Sequence, residues 1–481
     1  MTASEHHTRT AGVLLHISSL PSGDLGNDAY HFVDFLATTG VAVWQTLPIN
    51  MPHADNSPYQ CLSAHAGNPA FISLEKLVEQ GLITHDDLTQ DREALFKLAY
   101  EASMQRADLR NDYHAFCEQH QSWLDDFALY LVIRTQRNMQ GWFDWPKPLK
   151  HRTASGLKKF TAENSEALNL VKFTQFLFFS QWSALKVYAN LHKVELFGDI
   201  PIFVAYDSAD VWAKPHLFKL DADMHMTVVA GVPPDYFSAT GQRWGNPHYQ
   251  WNTMAEDGFT WWVDRLHTQA ELFDLIRIDH FRGLQAAWEI PAHEETAIAG
   301  SWAMAPGDAL LTAIYRQLPD IHLVAEDLGI ITPEVDALRL KFDLPGMKIL
   351  QFAFGGDEHN PYLPEQIGIN SVVYTGTHDN DTTLGWYKQA EQHVVVHLHQ
   401  YLHDESPEMP KALIHLVMQT KGYLAIIPMQ DVMGLDSDCR MNTPGTIEHN
   451  WHWRFDWQQL TMAHMLDLQH IVKASGRSAH G

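Results

Sequence analysis

Eight short runs of mostly apolar, β-favouring residues recur along the chain, and each ends in polar residues or glycine. They are GVLLHISS (12–19), VAVWQTLPIN (41–50), FGDIPIFV (197–204), FDLIRIDHF (273–281), HLVAEDLG (322–329), MKILQFAF (347–354), SVVYTGTHD (371–379) and LAIIPMQDVMG (424–434). Continuous apolar character predicts strands buried on both faces, as in a parallel sheet. Helical patterns fall between many of the runs. NDAYHFVDFLATTG (27–40) offers Asn27 or Asp28 as an N-cap and Gly40 as a stop. TPEVDALRLKF (332–342) offers Thr332 as a cap, with Pro333 and Glu334 in the first turn. The alternation predicts an α/β protein. Eight strands make a (β/α)8 TIM barrel the leading architecture, with a doubly wound sheet as the alternative.

The spacing of the runs is uneven. Residues 51–196 and 205–272 are long separations, and loops of that length without structure are rare. The first contains helix-like stretches at 91–120 and 165–192 and reads as an inserted, mostly helical subdomain. The second is rich in glycine and aromatic residues and reads as a subdomain of substrate loops. The expectation is one barrel over residues 1–481 carrying these two insertions.

Charge narrows the choice of partner. Asp and Glu outnumber Lys and Arg by 58 to 33, a formal charge of −25. Such a surface repels nucleic acid and anionic membranes but not a neutral, hydroxyl-rich ligand. No segment has the length and apolar character of a membrane span, and the N-terminus lacks the pattern of a signal peptide. Cys61, Cys117 and Cys439 form no CxxC pair and are odd in number, which predicts a reducing, cytoplasmic setting.

The chemistry gathers where the runs end. In a parallel barrel, reacting groups come from the C-terminal ends of strands. Asp279 ends the fourth candidate strand, Glu326 the fifth and Asp379 the seventh. Taken singly, each acid is as readily a helix cap or a salt-bridge partner; three at matching strand ends point to one pocket. Three carboxylates without a metal signature suit glycosyl transfer, in which retaining chemistry sets a nucleophile and an acid roughly 5–5.5 Å apart. Arg277, two residues before Asp279, shares its strand face and is expected to keep that carboxylate ionised. Glu326, between Val324 and Leu328 and followed by Asp327, is expected to have a raised pKa suited to an acid/base role. The thirty histidines invite a metal hypothesis, and HVVVHLH (393–399) is its best local pattern. It lacks the glutamate of a zinc-protease motif and reads as an ordinary helix. No P-loop or GxSxG elbow is present. Arg282 and Arg440 read as buttresses of carboxylates.

RIDHFRG, VAEDLG and THDND resemble the three catalytic blocks of the 4-α-glucanotransferases, or amylomaltases, of the α-amylase clan. DNSPYQCLSAHAGNP, FGDIPIFVAYDSADVW, GVPPDYFSATGQRWGNPHYQW and RMNTPGT agree, so the resemblance runs from residue 12 to about residue 454. It implies a (β/α)8 barrel, no required cofactor or metal, and maltooligosaccharides and glucose as donors and acceptors. It also implies Asp279 as nucleophile, Glu326 as acid/base and Asp379 as stabiliser of the transition state. Arg277, His378, Asp199 and Tyr59 would support or line the subsite of the cleaved sugar. Trp244, Tyr236 and Phe237, in a loop from Gly231 to Pro247, would form aromatic acceptor surfaces. Asn442 and Ser57 would add sugar contacts. Asp235 and Arg243 depart from the family's usual residues within that loop. A retaining α-glucan hydrolase would need the same carboxylates and is the alternative. A non-catalytic glucan-binding protein and a metal-dependent barrel hydrolase fit the residues less well.

Overall fold

The computed structural model describes residues 8–234, 238–446 and 448–479. Eight parallel strands form its centre: β1 (Thr10–Leu14), β2 (Val43–Gln45), β3 (Glu195–Ile200), β4 (Leu275–Ile278), β5 (Leu323–Ala325), β6 (Gly346–Ile349), β7 (Ser371–Tyr374) and β8 (Leu424–Pro428). Each pairs with its sequence neighbour except β5 with β6, and β8 pairs with β1. The remaining seam, between β5 and β6, is bridged by the Ala325 N–H donating to the Pro345 carbonyl at 2.9 Å. The sheet thus curls into the (β/α)8 barrel that the eight apolar runs predict.

The strands are shorter than those runs. The strand conformation stops where the apolar pattern gives way, and the polar tails form the loops above the barrel. Side chains alternate across each strand. Leu14, Val43, Phe197, Leu275, Val324, Met347, Val372 and Ile426 pack together inside the barrel. Val13, Trp44, Leu196, Ile276, Val373 and Ala425 pack outward into the cluster that includes the helices. Both faces are buried, which explains the continuous apolar runs. The top of the lumen turns polar. Asp199 and Arg277 follow the parity of Phe197 and Leu275, and Tyr374 donates to Gln45 Oε1 at 2.9 Å in the same interior.

The helix at Asn27–Thr39 ends as predicted, at Gly40 in the left-handed conformation (φ 78°). Its N-cap is Gly26, a correction to the expected Asn27 or Asp28. Asp28 instead accepts from the Ser22 N–H and the Trp457 indole. Thr332 does occupy the N-cap position of Pro333–Lys341.

Between β2 and β3 run the helices Arg92–Gln105, Ala107–Gln119, Gln121–Gln136 and Ser165–Leu191, with shorter ones between them. The last also packs on the barrel, where the Trp182 indole donates to the Leu272 carbonyl at 2.7 Å. The span from Gly231 to Pro247 is not the plain loop expected from its glycines. Val228–Val232 and Gln242–Pro247 pair as an antiparallel hairpin. The hairpin joins Ala286–Pro291 and Ser301–Met304, from the other side of β4, in a separate four-stranded sheet. Those last two strands carried no signal that the sequence pattern picked out.

Candidate active site

The site is built upward from the polar top of the barrel lumen. On β3 and β4, Asp199 and Arg277 are buried side by side, and Arg277 Nη1 bonds both Asp199 oxygens, at 2.8 and 2.6 Å. A second guanidinium nitrogen, Nη2, lies 2.8 Å from Asp279 Oδ1. One cation thus serves two carboxylates, and a buried ion pair of this kind holds only with such geometry.

The chain turns sharply after Asp279. His280 is left-handed (φ 53°), a conformation that costs energy in a non-glycine residue and recurs at functional sites. The turn lets the His280 N–H donate to Glu326 Oε2 at 2.6 Å, and the Phe281 N–H to the Glu326 carbonyl at 3.0 Å. The Leu328 N–H donates to Glu326 Oε1 at 2.9 Å. Asp279 and Glu326 are therefore held against each other through backbone. Apolar strand and charged turn are one device: the strand buries Arg277, and the turn presents Asp279.

On the opposite flank, the Tyr59 hydroxyl donates to Asp199 Oδ2 at 2.7 Å and lies 2.9 Å from His378 Nε2, with the two rings stacked at 5.3 Å. A hydroxyl that donates to Asp199 accepts from its other neighbour, so His378 carries its proton on Nε2. Burial lowers the His378 pKa, Asp379 opposes that shift and Arg277 reinforces it. Asn442 Nδ2 donates to Asp379 Oδ1 at 2.6 Å. Asp379 itself is exposed, facing the cavity.

The electrostatics correct one expectation. Burial pushes Asp279 up to about 8. Arg277 opposes this, and Asp199, Glu326 and Asp379 add to it. The guanidinium alone does not set this carboxylate. Glu326 is also raised, by burial first, with Arg277 and the Leu328 and His280 N–H groups pulling the other way and Asp327 adding to the rise. Two adjacent acids that both resist ionisation titrate as a pair. Arg277 contacts Asp279 and not Glu326, which favours the shared proton on Glu326.

Asp279, Glu326, Asp379, Arg277, Tyr59, Ser57, Trp244 and Asn442 all line one cavity of about 720 Å³. Asp199 and His378 hold its floor and flank. Tyr236 and Phe237 lie outside the described residues, as does Asp235. Arg243 does not face the cavity. Its guanidinium donates to the Glu294 and Ala292 carbonyls and pins the hairpin to the neighbouring loop. Arg440 donates to the Asp379 and Asn442 carbonyls, so it supports the backbone of that flank rather than a carboxylate. Among the described residues, Arg282 touches no carboxylate either. It donates to the Ile330 carbonyl and stacks under Trp302. The helix expected at 393–399 lies within Gln392–Leu402, where His397 contacts the Phe354 carbonyl and His399 the Tyr387 hydroxyl. Among the described residues, no group of three His, Cys, Asp or Glu side chains is disposed to hold a metal.

Sequence reasoning missed several cavity residues. Trp451 lines it in a left-handed conformation (φ 66°), 6.0 Å from both the Tyr59 and His378 rings. Its segment, EHNWHW (448–453), has no spacing that marks the ring as a cavity residue. Gln60 and Asn246 bond across the cavity wall at 3.1 Å, tying the first insertion to the hairpin. No local spacing betrays a pair so far apart in sequence.

Comparison with known proteins bears on this arrangement. The 4-alpha-glucanotransferase family model matches residues 15–461. The chain is 44% identical to the 4-alpha-glucanotransferase of Thermus thermophilus, over 98% of this chain and 99% of the other. It is 41% identical to the chloroplastic/amyloplastic 4-alpha-glucanotransferase of Solanum tuberosum, over 93% of this chain and 82% of the other. Among solved structures, the amylomaltase from Streptococcus agalactiae in complex with acarbose superposes with a TM-score of 0.94 at 34% identity, covering 98% of this chain and 100% of the other. The chain belongs to the 4-α-glucanotransferase family.

Proposed function

We propose that this 4-α-glucanotransferase moves segments of α-1,4-glucan between maltooligosaccharides, with glucose as the smallest acceptor, by retaining double displacement. The observation that carries the reading is the pairing of a guanidinium-bound carboxylate, Asp279, with a carboxyl lacking a cation, Glu326, across one turn of backbone.

The roles follow from those surroundings. An Asp279 oxygen attacks the anomeric carbon while the bond from that carbon to the leaving O4 breaks. Glu326 gives its proton to that oxygen, and the shortened glucan departs as an alcohol. What remains is a glycosyl ester on Asp279 and an ionised Glu326. The 4-hydroxyl of an incoming glucan then attacks the same carbon, Glu326 takes its proton, and the ester bond breaks to restore Asp279. Positive charge builds on the sugar in both transition states. The surplus of carboxylates around Arg277, Asp379 included, favours that charge. Tyr59, His378 and Asp199 hold one wall of the cleaved sugar's subsite, and Ser57 and Asn442 offer hydroxyl contacts. The hairpin carrying Trp244 covers the cavity and limits water at the ester, which makes transfer outrun hydrolysis.

A cytoplasmic setting suits the three free thiols of Cys61, Cys117 and Cys439. No described helix is long and apolar enough to cross a membrane.

The test is incubation with maltotriose alone in buffer containing a chelator. Longer oligosaccharides plus glucose, with a constant count of reducing ends, support the reading. Rising reducing ends with only shorter sugars would make the chain a hydrolase and leave the hairpin argument wrong.

A further inference from the structure

We infer that Trp302 is the platform of an outer acceptor subsite, stacking on a glucose unit beyond the one that receives the new bond. The inference rests on the transferase reading above and deepens it.

Trp302 is 41% exposed, unusual for the largest apolar side chain, and it lines the same cavity as Asp279 and Glu326. It is also rigidly held. It lies directly opposite Trp288 in the strand pair Ala286–Pro291 and Ser301–Met304, with the rings edge to face at 5.1 Å. Trp288 is fixed in turn by its indole N–H, which donates to the Ala297 carbonyl at 2.9 Å. The turn leading back to Trp302 passes so close that a Cβ on Gly300 would stand 2.2 Å from the Trp288 indole nitrogen. The Arg282 guanidinium lies 3.9 Å from the Trp302 ring centre and is anchored by its bond to the Ile330 carbonyl. An exposed ring backed by a guanidinium and braced at its edge is preorganised to meet a second flat surface. The apolar face of a pyranose is such a surface, and the cavity's proposed ligand is a chain of them.

Position assigns the subsite. Asp199, Arg277, Tyr59, His378 and Asp379 gather on the side of the sugar being cleaved. Glu326 stands where the leaving or incoming oxygen must be. Arg282 and Ile330 sit just beyond Asp279 and Glu326 in sequence, and Trp302 stacks on the Arg282 that bonds the Ile330 carbonyl, which places it beside the loop after Glu326. A sugar stacked there belongs to the departing or arriving chain. Glucose, as acceptor, fills only the inner position and does not reach it.

The experiment measures transfer from amylose to labelled glucose and to labelled maltotriose in the wild type, W302A and W302F. In W302A the KM for maltotriose is expected to rise about tenfold, with the KM for glucose within about twofold of wild type and kcat at saturating acceptor retained. W302F, which keeps a flat ring, should recover most of the maltotriose affinity. Equal change in both acceptors, or change in neither, overturns the outer-subsite assignment. Failure of the transferase reading looks different: the wild type itself would release sugar and label no product. Circular dichroism and thermal melting of each variant separate lost stacking from lost folding.

Discussion

The two walls of the cavity are built on different principles. One wall is a closed polar network. Arg277 joins Asp199 to Asp279, Tyr59 joins Asp199 to His378, and Asn442 fixes Asp379. The other wall, from Glu326 outward, is held mainly by backbone donors and carries exposed apolar groups: Ile330, Phe352 and Trp302. A network in which each member is fixed by others admits one arrangement of charge and suits one sugar ring in one geometry. A flat apolar surface holds a ring by area and tolerates variation along the chain. The contrast matches a reaction that does the same chemistry at one carbon on every turnover while exchanging partners of different length.

The largest effect should come from the polar wall. Asp279→Asn removes the charge of the oxygen proposed to attack while keeping its size, and turnover is expected to fall by at least about 10⁴-fold with the fold intact. Single-turnover labelling and circular dichroism check the two halves of that statement. Near-normal turnover would remove Asp279 from its role and, with it, the reason for the wall's design.

Stability should divide the walls as sharply as activity does. Arg277→Met leaves the buried Asp199 without its cation, and breaking a buried pair from one side costs roughly 3–5 kcal/mol. Ile330, which is 55% exposed, should tolerate alanine within about 0.5 kcal/mol. Urea unfolding of the two variants measures both. Similar losses would mean that the apolar wall is structural and the contrast false.

A finer test uses pH. Asp279 is pushed up from its ordinary value of 3.8 to about 8 as one half of its pair with Glu326, so the native pair, whose shared proton rests on Glu326, binds protons more tightly than the unfolded chain does. The contribution is fully present below about pH 4, where both states are protonated. It is lost as pH rises towards 8, because the unfolded carboxylates ionise freely and the native pair resists. Asn at this position breaks the pair and leaves only the smaller slope of Glu326. The stability of Asp279→Asn relative to wild type should therefore increase between about pH 4 and pH 8 and level off above. The gain should be about 1–2 kcal/mol, less than full linkage, since the side chain is partly open to water. Thermal melts across that range decide it; a flat difference would mean that Arg277 offsets the cost of burial.

How much of this the sequence discloses depends on how far apart the partners lie. The barrel was legible because each strand buries both faces and so writes a short apolar run, and the charges after Ile278 and Ala325 mark where the strands stop. That Asp279, Glu326 and Asp379 meet at one cavity was legible for the same reason. The span from 231 to 247 has the composition of a loop, because its glycines and prolines hide a hairpin whose pairing partner, Ala286–Pro291, lies beyond β4. Trp451 and the Trp302–Arg282 stack were missed because their roles depend on a left-handed turn and on a contact between separate elements. The direction of the Asp279 shift was misjudged from spacing. Two residues of separation place Arg277 beside it, but no spacing reports the three further carboxylates around the pair.

The smallest effect tests whether the polar wall acts as a unit. Tyr59→Phe removes one hydroxyl, which links His378 to Asp199 and makes no bond to Asp279 or Glu326 in the structure. If the network fixes the cleaved sugar, losing this link should lower kcat/KM about tenfold, equivalent to about 1.4 kcal/mol, for every donor length. The acceptor preference should not move, because that is set on the other wall. Paired with Asn442→Ala in a double-mutant cycle, the two losses should fail to add, since both loosen Asp379: one directly, the other through His378, whose Nε2 lies 3.4 Å from Asp379 Oδ1. Strict additivity would make the wall a set of independent contacts. The contrast between the two halves would then be one of polarity alone, not of rigidity.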